Sequence, residues 1–409
     1  MSAQVQRWLE HIRALAVDIG PRGPTTEGER LGAEYCAGIL RQLGLAPEVE
    51  GFISARSIFQ PHLLTAGAML LAFVIYPVAG RAGAPLAALI SLVALGSDLL
   101  ELSFIDNPLR RIVTKGPSQN VVATVAPAAE HRQDLVLIGH IDTQRTPIVF
   151  STLRWVTAYK TFTTVAFVLF AAQTVLYLVG TVTGWPWIWP LTALSAMGAV
   201  LLMAMCIQAD RTPFTAGAND NASAVGLVLT LAEALRNEPL KHTRVWLACT
   251  GCEEVQHYGA IDFFRRHRDA LKRPATIAFE MLGCDGPSWL TKEGIVVPFH
   301  ADPGLVRLAE EIAAQHPDLA AYPAQINGGN TEMADALRLG IPAITIGGLT
   351  RAGDLPYWHQ VGDTYDKMNP EVLERAYTFT WAFISALDAH ASTRNDDRRR
   401  KAWETGRGR

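Results

Sequence analysis

Long stretches of this 409-residue chain lack charge altogether. In residues 57–80, and again in residues 161–209, no Asp, Glu, Lys or Arg occurs. Uncharged runs of that length exclude an ordinary solvated surface and point to lipid contact. An excess of either sign is missing too: 36 basic residues stand against 39 acidic ones, so no bias toward nucleic acid exists and no nucleic-acid partner is expected. Cysteine is scarce and odd in number (Cys36, Cys206, Cys249, Cys252 and Cys284), which argues against a disulfide framework and fits a reducing compartment. The CTGC pair has no second CxxC to complete a structural zinc site. It ends an apolar strand and reads as two buried free thiols. The opening stretch MSAQVQRWLEHIRALAVDIG is charged throughout and holds no apolar core, so a cleaved export leader is not expected.

What is abundant is apolar side chain, 49% against 18% charged, and it is concentrated in two places. PHLLTAGAMLLAFVIYPVAG is close to the roughly 20 residues a spanning helix needs. Residues 85–104 follow as a weaker apolar segment interrupted by Asp98 and Glu101. The second run divides at GTVTGWPWIWP into 161–178 and 187–207, and its turn carries Trp185, Trp187 and Trp189, which suit a membrane interface. The competing reading is a pair of hairpins buried on the domain or used for dimerisation. Two membrane hairpins, 57–106 and 155–209, would each return the chain to its starting side. Residues 1–56, 107–154 and 210–392 can then form one discontinuous domain, followed by a basic tail, 393–409, expected to be frayed and solvated. Arg56, Arg110, Arg111, Lys115, Arg154, Lys160 and Arg211 flank the spans on the domain side, and only Arg81 lies at an outer turn. This asymmetry predicts a multi-pass protein of the inner, cytoplasmic membrane with its domain facing the cytoplasm.

Outside the hairpins, helical and strand patterns alternate. Helices are expected over 5–19, 27–43, 222–236, after Tyr258, and over 303–315 and 370–389. Strands are expected over 47–52 and in NVVATVAP, LVLIGH, TRVWLACT, TIAFEML, GIVVPFH and IPAITIGG. The pattern implies an α/β fold with a mostly parallel mixed sheet flanked by helices, plus about four transmembrane helices. Ligands of such sheets sit beyond the carboxyl ends of strands, where His140, Glu253 and Glu280 fall.

Five short motifs occur in order. They are HID with His140 and Asp142, GANDNASAVG with Asp220, CEEVQHYGA with Glu253 and Glu254, FEMLGCDG with Glu280, and YWHQVGDTYD with His359. Together they resemble metallopeptidase family twenty-eight, the co-catalytic di-zinc aminopeptidases and carboxypeptidases. The resemblance covers nearly all of the chain outside the hairpins, including IGPRGPTTEGER and QNVVATV, and it implies the zinc exopeptidase fold.

Carried over residue by residue, the resemblance implies two Zn2+ ions bridged by Asp220. His140 and Glu280 would complete one ion, and Glu254 and His359 the other. Asp142 would orient His140, and Glu253 would be the general base. Imidazole nitrogen and carboxylate oxygen are suitable donors for Zn2+. The implied function is a membrane-attached exopeptidase, foremost an aminopeptidase on short peptides. A carboxypeptidase, a glutaminyl cyclase or a catalytically silent membrane scaffold are the alternatives. Peptide substrate and lipid bilayer are the expected partners, and hairpins exposed in a bilayer could pair as a homodimer. Three departures from the family pattern stand out: Glu280 where Asp is usual, Thr331-Glu332 where Ser-Asp is usual, and a hairpin inserted between His140 and Asp220.

Overall fold

The sheet is set by four apolar runs that have no face tolerant of water. A computed structural model describes residues 1–79 and 82–406, with residues 153 and 392–406 by backbone alone. In chain order the strands are β1 (Glu48–Ala55), β2 (Lys115–Val125), β3 (Gln133–His140), β4 (Thr243–Thr250), β5 (Ala275–Glu280), β6 (Ser288–Glu293), β7 (Phe299–His300), β8 (Tyr322–Gln325) and β9 (Ala343–Gly347). The almost wholly buried β4, β3, β5 and β9 lie side by side and parallel. Strands buried on both faces read this way. Antiparallel pairs close the flanks, β2 on β4 and β1 on β2 at one side, β6 on β9 and β7 on β6 at the other, and β8 runs parallel beside β6. The sheet is therefore mixed, with a parallel middle. His140 is level with Thr250 and Glu280 with Gly347, so the parallel strands end at one common edge.

The helices are α1 (Ala3–Arg13), α2 (Glu27–Gln42), α3 (Phe59–Val78), α4 (Gly83–Leu102), α5 (Leu109–Ile112), α6 (Leu153–Thr183), α7 (Ile188–Leu191), α8 (Ala193–Asp210), α9 (Ser223–Asn237), α10 (Tyr258–His267), α11 (Pro303–Gln315), α12 (Met333–Arg338) and α13 (Pro370–Gly406). Local chemistry accounts for several ends. Ser2 caps α1 by accepting from the Val5 N–H, and Asp302 caps α11 just before Pro303, whose missing N–H is harmless there. Fully buried Trp8 donates from Nε1 to the Ser223 carbonyl at 2.6 Å, which fastens α1 to the start of α9.

Some elements differ from the sequence expectation. GIVVPFH is not one strand: Gly294, at φ +142, turns the chain out of β6, and Ile295, Val296 and Val297 form an exposed loop before the short β7. The helix opening at Pro370 runs on to Gly406, because RRRKAWE contains no breaker. β8 and α12 were not anticipated; each is six residues or fewer, too short to show a period. Arg81, the basic residue assigned to an outer turn, lies outside the described residues.

Helices α3, α4, α6 and α8 are each long and apolar enough to cross a membrane. They pack in a ring, α3 on α4, α4 on α6, α6 on α8 and α8 on α3. Small residues at the seams, including Ala66, Ala72, Ala88 and Ala94, allow close approach. Tyr76 stacks on Tyr177 with ring centroids 4.7 Å apart, and Gln173 donates to the Met69 carbonyl at 2.9 Å. Leu71, Leu89, Val165, Val175 and Met197 point outward and are exposed. Exposed apolar faces of this extent do not suit water.

One buried cation ties the N-terminal segment to the strand edge. The Arg22 guanidinium is wholly inaccessible and donates to the carbonyls of Leu15, Gly20, Ile141, Ala216 and Gly217 at 2.7–2.9 Å. These carbonyls belong to the turn after α1, the end of the β3 segment and the loop that carries Asp220. Arg22→Met would remove this donor from all five, leaving Leu15 and Gly217 the backbone N–H groups of Gly20 and Ala222, so a loss of about 3 kcal/mol or more is expected in chemical denaturation.

Candidate metal centre

β3 delivers His140 to the sheet edge, and the chain after it fixes the ring. His140 Nδ1 lies 3.0 Å from the Asp142 carbonyl. A carbonyl only accepts, so Nδ1 carries a proton; burial would lower the imidazole, but Glu253, Asp142 and Glu280 hold it well above the ordinary histidine value. Nε2 faces Asp220 Oδ1 at 3.5 Å, Glu253 Oε2 at 3.8 Å and Glu280 Oε2 at 3.8 Å. The Asp142 carboxylate faces the same nitrogen at 3.6 Å and also accepts from the N–H groups of Glu253 and Glu254, both at 3.0 Å. The backbone carbonyl makes the short bond to the ring; the carboxylate adds its charge beside it and holds the Glu-Glu turn.

Asp220 lies on the loop before α9, beside a cis peptide to Asn221. Asp363 grips that loop, accepting from the N–H of Asn219 at 2.7 Å and of Asp220 at 2.9 Å. Glu280, at the end of β5, accepts from Asn221 Nδ2 at 3.1 Å, and this bond holds the longer side chain against the cluster. Glu254 accepts from Gln144 Nε2 at 3.1 Å. His359 Nε2 stands 3.2 Å from Glu254 Oε2 and 3.5 Å from Asp220 Oδ2. Phe150 meets its ring edge-on at 4.9 Å and Trp358 packs on it at 4.3 Å.

The donors fall into two triplets that share Asp220. His140, Asp220 and Glu280 form one, Asp220, Glu254 and His359 the other, with the atoms of each within 4.8 Å of one another. His140, Glu253 and Glu254 also meet this limit. His140, Asp220, Glu254, Glu280 and His359 are all buried. Asp220, Glu254 and Glu280 are pushed well above the ordinary carboxylate range, by burial first and then by neighbouring carboxylates. Burial pushes His359 down to about 4, which keeps its ring neutral and able to donate a lone pair. Asp220 Oδ2, Glu254 Oε1 and His359 Nδ1 have no hydrogen-bond partner. A dry cluster of acids with orphaned oxygens and imidazole lone pairs fits divalent cations.

Glu253 is set apart from its neighbour by a histidine. His257 Nε2 lies 2.9 Å from Glu253 Oε1, and its Nδ1 lies 2.7 Å from Asp335 Oδ2. Burial would lower the His257 imidazole, but Asp335 and Glu253 on either side hold it well above the ordinary histidine value. Burial would likewise raise the Glu253 carboxyl, yet His140 and His257 keep it below the usual range. The expected departure at Thr331-Glu332 takes a definite form here. Thr331 faces the cleft, while Glu332 turns away and accepts from the Thr250 hydroxyl at 2.5 Å.

Residues 199–384 match the model of Peptidase family M28. The resemblance to family M28 holds. The M28 match contains Asp220, Glu253, Glu254, Glu280 and His359, and His140 and Asp142 precede it on β3 and its following turn. M28 peptidases are zinc-dependent. A search of curated proteins finds no match. Solved structures share the α/β fold. A leucine aminopeptidase precursor from Bacteroides thetaiotaomicron is 14% identical with a TM-score of 0.56, covering 93% of this chain and 96% of that one. BSAP, a zinc aminopeptidase from Bacillus subtilis, is 13% identical with a TM-score of 0.56, covering 94% and 95%. A glutaminyl cyclase from Porphyromonas gingivalis is 15% identical with a TM-score of 0.55, covering 94% and 98%.

Asp363, Gln144, Asn221, His257 and Asp335 were not singled out from sequence. All but Asp335 sit inside or next to a motif, and that adjacency was the available signal. Asp363→Ala would release the two N–H groups that aim the shared carboxylate. Zinc titration should then show affinity lower by about 10–100-fold.

Proposed function

We propose that the chain is a membrane-attached, cytoplasm-facing exopeptidase that holds two Zn2+ ions and hydrolyses peptide bonds, as an aminopeptidase on short peptides. The observation that carries this reading is the pair of ligand triplets meeting at Asp220, with Glu253 as a further carboxylate that neither needs. His140, Asp220 and Glu280 would hold one ion, and Asp220, Glu254 and His359 the other. Bound Zn2+ supplies Lewis acidity, lowering the pKa of water and polarising a carbonyl oxygen. Glu253 takes the proton of the attacking water as general base. It keeps that proton on a carboxylate oxygen and passes it to the departing amine as the C–N bond breaks, so peptide and water give a carboxylate and an amine. His257 holds the other Glu253 oxygen and fixes its rotamer, while Gln144 and Asn221 do the same for Glu254 and Glu280.

The four apolar helices support membrane attachment, and the basic residues at their domain-side ends support the cytoplasmic orientation. Residues 57–106 and 155–209 are then two membrane hairpins inserted into one peptidase domain. Their exposed faces would meet lipid, or a second copy in a homodimer. A second reading is supported by the glutaminyl cyclases that share the fold. There the substrate's own amine attacks its side-chain amide and ammonia leaves. Aminoacyl anilides, acylated amino acids and peptides with N-terminal glutamine separate the reactions by product.

Glu253→Gln should lower kcat by about 10²–10⁴-fold while zinc content stays at the wild-type level; normal turnover in that variant would remove the base from the mechanism. His257→Phe gives a test by pH. A carboxylate held low remains a base as the pH falls, and without the imidazole partner it protonates at higher pH. The acid limb of the kcat/KM profile should therefore move upward, by about 1–2 pH units.

A further inference from the structure

A single cavity of about 610 Å³ joins the metal cluster to the interior of the apolar helices. His140, Asp220, Glu254 and His359 line it at the sheet edge, and Phe59, Phe167, Phe170, Leu202 and Met205 line it between the helices. We propose that the chain acts on amides bearing a long aliphatic chain, with the amide at the metal cluster and the aliphatic chain lodged between α3, α4, α6 and α8. This deepens the hydrolytic reading above and rests on it.

Three observations carry the proposal. The first is continuity, because the same cavity wall contains the donors and the helix side chains, so a molecule seated at the cluster extends into the bundle without crossing a barrier. The second is the chemistry of the lining. Away from the cluster its charged groups are few: the His62–Asp98 pair, 2.8 Å apart, and Lys160, the one Lys or Arg in the lining among the described residues. Asn327 and Asn330 add polar groups from the segment after β8, but beside Phe59, Phe167, Phe170, Leu202 and Met205 a polar peptide would find little to bond. A short substrate would leave the apolar part open to water, which apolar cavities resist.

The third observation is length and access. The lining runs from Tyr159 to Phe170 along α6, roughly 16 Å at 1.5 Å per residue. An extended chain advances roughly 1.2 Å per bond, so the space suits about a dozen carbons. Val168 lines the cavity and is 60% exposed. Exposed Ile295 and Val296 line it from the loop after β6. The wall therefore reaches the surface that would meet lipid, and a substrate dissolved in the bilayer could enter from the side. The reaction stays balanced as before: water adds at the amide carbon, the C–N bond breaks, and a carboxylate and an amine result. The aliphatic chain departs on one of these two products.

The test uses full-length, zinc-loaded protein in lipid nanodiscs. N-acyl-leucines with acetyl, octanoyl and dodecanoyl chains probe a tail on the acyl side, and leucyl alkylamides of matching length probe a tail on the amine side. In one series kcat/KM should rise at least about a hundredfold from the shortest to the dodecyl member, within the ceiling of about fourfold per buried methylene. Thr163→Trp and Met205→Trp, on two different helices, should each cut the long-to-short ratio at least about tenfold by filling the cavity. Val175→Trp, on the outer face of α6, should keep the ratio. A flat chain-length profile with a leucyl anilide still turned over would overturn the proposal and spare the peptidase reading; it is also the outcome if a bilayer lipid fills the cavity. Loss of all amide turnover in the zinc-loaded protein would sink both.

Discussion

Asp220 is the point on which the rest depends. Its carboxylate lies buried between two imidazoles and close to Glu254 and Glu280, an arrangement that burial and like charge both oppose. Such a cluster needs its charge neutralised and a rigid frame to hold it. The frame is visible in the hydrogen bonds. Asp363 holds the Asp220 loop from one side, and Arg22 collects carbonyls from that loop and from the segment after β3 on the other. Asp142 pins the Glu253–Glu254 turn to the same segment. His140, Asp220, Glu254 and Glu280 are thus each aimed by a hydrogen-bonded neighbour, while the His359 ring is set by packing against Phe150 and Trp358.

The apolar hairpins join the domain at the edge where this frame stands. α6 begins shortly after the His140 strand, and α8 ends ten residues before Asp220. Phe150, just ahead of α6, packs on His359 and on Tyr159 of α6, so the second hairpin backs a ring that meets the cluster. The first hairpin reaches the site too: Phe104, just past α4, packs on His257 at 4.6 Å, and Arg338 donates to its carbonyl at 2.5 Å. The four apolar helices and the candidate metal cluster are therefore neighbours in space.

Much of this was legible in the sequence, and the limits follow from physics. His140, Glu253 and Glu280 could be placed at a strand edge because a parallel α/β pattern leaves few other positions. The short bond to His140 comes from the Asp142 backbone carbonyl, which has no letter of its own, and the same residue's carboxylate also holds the Glu253–Glu254 turn. GIVVPFH carried strand composition, but a glycine at positive φ turned it into a loop. His257 and Asp335 lie 78 residues apart, and no spacing rule links them.

The sequence by itself determined the kind of donors present, the central strands and the four apolar helices, because these depend on composition and on contacts close along the chain. Only the tertiary structure decided which carboxylate pairs with which imidazole, that Glu332 turns away while Glu280 turns in, and that one cavity runs from the cluster into the bundle. Those outcomes depend on how separate elements pack, and packing joins residues whose separation along the chain carries no signal.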